Sequence, residues 1–226
     1  LGPMRPEAQS ELLAAALRSS SEVHFARDLE GEASDHLHEE ASFVTRQNLS
    51  TALATLKVLQ ARDWAISKEA IQSGLSDYAA ITGQRGRWQE VTVPGQPLVI
   101  LDGAHNMDGV AAMVQALEVK VQVRKGKLWV IWGAVADKDH REVMSLLPDN
   151  ASYVWCAADI PRAMEASKVA SLRPALSGAV VSVPVEALVY AMDAAGENDV
   201  IWVGGSLFVV GDVLRDAPQQ IPGWSV

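Results

Sequence analysis

The chain has 226 residues, a formal net charge of −9, 49% hydrophobic and 21% charged residues. That composition is globular, excludes global disorder, and leaves room for one large domain or two modest ones. The single cysteine, Cys156, excludes a disulfide framework, the acidic balance disfavours non-specific nucleic-acid binding, and no apolar run is long enough for a transmembrane helix.

Residues 6–18 predict a helix with Pro6 in its first turn. Glu22–Ala26 predicts a short strand, and the charged stretch 27–42 a loop. Within that loop, His36, His38, Glu39 and Glu40 match no structural zinc spacing and read as a solvated cluster. Leu49, Leu53, Leu56 and Leu59 recur at three- and four-residue spacing, which predicts an amphipathic helix over 44–62. Ser67 predicts the cap of a further helix through Ala70, Ile71, Leu75 and Tyr78. Gly83 and Gly86 make 83–88 a loop, and the chain divides there.

Beyond residue 88 short apolar runs alternate with helical patterns. Strands are expected at Leu98–Leu101, Leu128–Trp132, Tyr153–Cys156, Val180–Val183 and Val200–Val203. Helices are expected over 107–119, 139–147, 162–172, 184–195 and 207–215. Unbroken apolar strands alternating with helices predict a mostly parallel α/β sheet covered on both faces. Functional residues then belong at the carboxyl ends of the strands.

Three such ends carry candidates. Leu98–Leu101 runs into Asp102, His105 and Asn106 ahead of a helix. Asp102 can accept a ribose diol and His105 can meet a heterocycle; equally, Asn106 can merely cap the helix and Asp102 merely end the strand. Leu128–Trp132 runs into Asp137, Lys138, Asp139 and His140. Lys138 either belongs to a surface ion network or reaches an anionic ligand at a helix N-terminus. Val200–Val203 ends in Gly204, Gly205 and Ser206, a plain tight turn or a close approach to ligand. If the last two strands are neighbours, their turns form one concave site. No G-x-G-x-x-G and no G-x-x-x-x-G-K-[ST] occurs. Cys156 follows a strand and reads as buried, and most of the seven tryptophans as core or rim.

Taken together, RQNLSTALATL, GRWQEV, VILDGAHN, VIWGAVADKDH, PRAM and DVIWVGGSLFVVGDVL resemble, in order and spacing, the second half of bacterial dihydrofolate synthase/folylpolyglutamate synthase, a Mur ligase superfamily enzyme. The resemblance implies a Rossmann-like C-terminal domain over 89–226, preceded at 1–88 by the mainly helical, incomplete tail of a Mur-type ATPase domain. It implies an ATP-dependent ligase that activates a dihydropteroate or folate carboxylate as an acyl phosphate, which L-glutamate then attacks. Asn48, Arg87, Asp102 and His105 fall on ATP-binding positions, with Arg87 and His105 as the expected catalytic residues. Lys138 and Ser206 resemble residues that hold the incoming glutamate in a related glutamate-adding ligase. The phosphate loop and the magnesium ligands of the family have no counterpart here, so Mg²⁺ is expected to be held by a missing N-terminal half. The implied partners are small molecules and that missing half, without nucleic acid or membrane, in the cytoplasm; the fragment alone is expected to be inactive. Another Mur-type ligase and a stand-alone nucleotide-binding module are the alternatives.

Overall fold

The computed structural model describes residues 1, 2, 4, 6–26 and 43–225, with 43–46 as backbone alone. The expected loop 27–42 and its His36–Glu40 cluster lie outside the described residues. The chain forms two compact units, Leu1–Gln84 and Arg85–Val226. Arg87 therefore sits near the start of the second unit.

The first unit is helical: α1 (Pro6–Arg18), α2 (Phe43–Gln60), α3 (Lys68–Ser76) and α4 (Tyr78–Thr82). Ser67 caps α3, its hydroxyl accepting from the Ala70 N–H at 3.1 Å. Leu49 and Leu53 of α2 meet Leu75 of α3 in a small core. The expected strand at Glu22–Ala26 does not form. Its bonds go to residue 1, whose amine donates to the His24 carbonyl (2.6 Å) and whose carbonyl accepts from the Ala26 N–H (2.9 Å). A strand needs a ladder, and no described strand lies beside this segment.

The second unit is a six-stranded sheet. Its strands are β1 (Gln89–Val91), β2 (Leu98–Leu101), β3 (Leu128–Trp132), β4 (Ser152–Trp155), β5 (Gly178–Val180) and β6 (Val200–Gly204). The order is β1-β2-β6-β3-β4-β5; only β1 runs antiparallel. Helices α5 (Met107–Arg124), α6 (Arg141–Ser145), α7 (Ala166–Ser171), α8 (Pro184–Ala194) and α9 (Leu207–Gln220) cover it.

Alternation along the strands sorts the core into two layers. Leu98 and Ile100 of β2, Val130 and Trp132 of β3 and Trp202 of β6 face α5, α6 and α7. Val99 and Leu101, Ile131, and Ile201 and Val203 face α8 and α9. This is the mostly parallel α/β sheet that the apolar runs predict.

Several details depart from the expected ranges. β1 was not expected; it forms an edge hairpin with β2 through a turn in which Gly95 has φ +73°. The helix expected over 162–172 is only Ala166–Ser171, because the preceding backbone is committed elsewhere. Val135 and Ala163 form an antiparallel bridge, the Ala136 N–H donates to the Arg162 carbonyl (2.8 Å), and the Met164 N–H to the Ala134 carbonyl (2.9 Å). The fourth expected strand, Val180–Val183, starts two residues earlier, at Gly178, and Val183 becomes the cap ahead of Pro184.

Candidate functional site

β6 is the last strand in sequence and sits between β2 and β3. The helix after β6 covers one face of the sheet, while the helices after β2 and β3 cover the other. At such switch points the connections part and leave a crevice outside the carboxyl ends. The turns of Asp102, Ser206 and Lys138 all leave the sheet there.

Backbone bonds tie these turns into one strip. The Gly205 N–H donates to the Ala104 carbonyl (3.2 Å), and the Gly133 N–H to the Gly204 carbonyl (3.4 Å). Glycine is required for the approach. At Gly205, with φ +80°, a Cβ would run into the Trp132 ring and the Gly133 carbonyl, and at Gly133 a Cβ would meet Val209.

Asp102 is 8% exposed. Its Oδ1 accepts the Ala104 N–H and its Oδ2 the Trp88 N–H, both at 2.8 Å. Burial pushes its carboxyl above the ordinary value, opposed by these two bonds and by the charges of Arg87 and His105. Two lone pairs of the carboxylate remain for further donors. His105 Nδ1 lies 2.8 Å from the Gly103 carbonyl. A carbonyl only accepts, so Nδ1 carries the proton, and in the neutral ring Nε2 is the acceptor. Asn106 caps α5, its Oδ1 accepting from the Gly109 N–H at 2.8 Å. Arg87 is exposed and makes no hydrogen bond or ion pair among the described residues.

On the other side of β6, Ser206 is buried and caps α9, its Oγ accepting from the Phe208 N–H at 3.2 Å. Lys138 is exposed at the tip of its turn. Its flanking acids have other partners: Asp137 pairs with Arg162 at 3.2 Å and Asp139 with Arg141 at 3.9 Å. Lys138 itself has no ion pair among the described residues. Buried His140 closes the turn through Nε2, 2.7 Å from the Val135 carbonyl. Arg162, which sequence reasoning took only as part of a motif, lies 5.3 Å over the Phe208 ring. Lys138, Ser206 and Arg162 thus share the end of the sheet that carries Asp102.

Asn48 is exposed on α2, in the first unit. That unit also contains an apolar cavity of about 440 Å³ between α1 and α2, edged by Glu22 and His24. These two side chains pair with each other at 3.3 Å, and the cavity contains none of the sequence-derived candidates. Cys156 is fully buried, and burial beside Asp212 pushes its thiol far up, which makes it inert. Among the described residues no three His, Cys, Asp or Glu side chains converge as a metal site, and no helix is long and apolar enough to cross a membrane.

Residues 86–207 match the family model of the Mur ligase glutamate ligase domain. The chain is 32% identical over 187 residues to a probable bifunctional folylpolyglutamate synthase/dihydropteroate synthase of Haloferax volcanii, covering 77% of the chain and 22% of the relative. It is 28% identical over 172 residues to the dihydrofolate synthase/folylpolyglutamate synthase of Bacillus subtilis, covering 75% and 38%. A solved structure of a bifunctional folylpolyglutamate synthase/dihydrofolate synthase with Mn, AMPPNP and L-glutamate bound superposes with a TM-score of 0.64 at 30% identity, covering 75% of this chain and 39% of that one. The chain thus spans well under half the length of each of these relatives.

Proposed function

The chain belongs to the Mur ligase family through its glutamate ligase domain, and from that premise we propose that it is part of an ATP-dependent ligase joining L-glutamate to dihydropteroate or folate. The observation that carries the reading is the strip of three turns at the switch point, with Asp102 on one side of β6 and Lys138 on the other.

In this reading the second unit is a C-terminal Rossmann-like domain and the first is the tail of an ATPase domain. Asp102 accepts the ribose hydroxyls with its remaining lone pairs. His105 Nε2 lies toward the adenine. Arg87 clamps the phosphates and, with Asn48, belongs to the ATP-binding set. Lys138 holds a carboxylate of glutamate beside the Ser206 cap and the α9 N-terminus, whose dipole favours an anion. In this reading Mg²⁺ is held by residues of the N-terminal half that the family resemblance implies, and among the described residues no His, Cys, Asp and Glu cluster suits a metal ion.

A carboxylate oxygen of the pterin substrate attacks the γ-phosphorus of ATP and expels ADP. The glutamate amine then attacks the acyl carbon, phosphate leaves, and the amine loses a proton as the amide forms. Fixing glutamate next to the acyl phosphate replaces a bimolecular encounter with an oriented one. Oxygen-18 in the substrate carboxylate tests this in the complete enzyme. One label atom should appear in the released phosphate for each amide formed; unlabelled phosphate would eliminate the acyl-phosphate step. The chain alone is expected to form no amide.

A further inference from the structure

Arg87 stands between two residues in the left-handed region, Gly86 at φ +70° and Trp88 at φ +43°. Glycine takes that conformation without steric cost; tryptophan does not. Three hydrogen bonds hold the turn. The Gly86 N–H donates to Gln89 Oε1 (2.8 Å), the Gly103 N–H to the Gly86 carbonyl (3.3 Å), and the Trp88 N–H to Asp102 Oδ2 (2.8 Å). The Trp88 side chain is half-buried against the core layer that contains Ile100 and Trp132. The backbone is therefore fixed on both sides of a side chain that is itself exposed.

Strain of this kind persists only where the surroundings over-determine it. Here the determinant is the carboxylate that the proposed nucleotide site uses for the ribose. We propose that Trp88 is a positioning residue: its left-handed backbone, pinned on Asp102, aims Arg87 at the phosphates of a nucleoside triphosphate whose ribose sits on that same carboxylate. The inference rests on the ATP site proposed above and adds a device by which one carboxylate sets both ends of the ligand. Binding energy then goes into contacts rather than into ordering Arg87.

The test is the ratio of ATP affinity to adenosine affinity for the 226-residue chain, measured by NMR titration at millimolar ligand. Adenosine engages Asp102 without needing Arg87, so a general structural defect moves both affinities and leaves the ratio alone. Trp88→Gly keeps the N–H but frees the backbone; the ratio should fall about two- to fivefold with adenosine affinity unchanged. Trp88→Asn should retain the wild-type ratio, since asparagine is at ease in the left-handed region. An unchanged ratio in Trp88→Gly overturns the proposal. Equal loss in Trp88→Asn also overturns it, because the indole and not the backbone would then matter. Either variant decides alone if the other fails to fold. A wild-type chain that binds ATP no better than adenosine removes the ATP-site reading itself, and with it this inference.

Discussion

Trp132 and Gly204 stand opposite each other in parallel register at the carboxyl ends of β3 and β6. That pairing sets the Lys138 turn level with the Ser206 turn, and the Gly133 N–H reaches the Gly204 carbonyl across the gap. The site end of the sheet is thus built from backbone packed against backbone. Small residues, and not polar side chains, decide whether it closes.

Gly205→Ala should be among the more damaging small substitutions in the chain. At φ +80° a Cβ is strained in any surroundings, and here it meets the Trp132 ring and the Gly133 carbonyl. The expected cost is about 2–4 kcal/mol. Gly95 has a similar φ of +73° with open space around its would-be Cβ, so Gly95→Ala should cost only about 1 kcal/mol. Urea denaturation of the two variants separates steric from conformational cost; equal losses would show that the strip is not tightly packed.

Asp102 should impose a pH dependence on stability. Its folded carboxyl titrates above its ordinary value of 3.8, because of burial. Below that value it is protonated in both states. As pH rises, the unfolded chain ionises first, so folding loses stability until pH passes the raised value, then levels off. Asp102→Asn removes this slope. It also places an NH₂ group against one of two N–H donors, leaving a buried donor unpaired at a cost of about 1–3 kcal/mol. Denaturation from pH 3 to 8 should show wild type and variant converging as pH rises; parallel curves would mean that Asp102 is not desolvated.

How much of this was legible follows from where each signal resides. Leu98–Leu101, Leu128–Trp132 and Val200–Val203 are unbroken apolar runs, and burial on both faces of a parallel sheet writes that pattern directly. Their order is not written there. That β6 lies between β2 and β3 depends on which helix covers which face. β1 escaped because Gln89–Val91 is three residues with a single fully buried side chain. Asp102 stood out by type and place, yet its bond to the Trp88 N–H was invisible, since a backbone donor 14 residues away leaves no side-chain signature. The charges around Lys138 misled in one respect: an Asp–Lys–Asp run suggests a local ion cluster, but Asp137 and Asp139 pair with Arg162 and Arg141.

Arg87→Ala should separate function from folding. The side chain is exposed and unpaired among the described residues, so thermal unfolding should shift by no more than about 0.5 kcal/mol. In the complete ligase, loss of one charge-assisted clamp on the transferring phosphoryl group should cost about 2–4 kcal/mol in kcat/KM. A collapsed melting temperature with normal turnover would make Arg87 structural.

Lys138→Ala tests the glutamate assignment most directly. An ammonium committed to surface ion pairs would have its neighbouring acids as partners, and removing it would change little beyond the weak energies of exposed pairs. The neighbouring acids are instead taken by Arg162 and Arg141, and Lys138 is left at the tip of a turn closed by His140, at the same end of the sheet as the capped N-terminus of α9. A cation so placed has a long-range task or none. If it holds the carboxylate of the incoming amino acid, the variant of the complete ligase should show a KM for glutamate raised at least about tenfold, or about 1.4 kcal/mol, with the KM for ATP unchanged and the melting temperature intact. Arg162→Ala is the internal comparison: it removes the pair with Asp137 and the stacking on Phe208, so it should loosen the turn and lower stability as well. Should Lys138→Ala leave the KM for glutamate untouched, or raise both KM values together, the ammonium does not contact the amino acid and the glutamate site lies elsewhere.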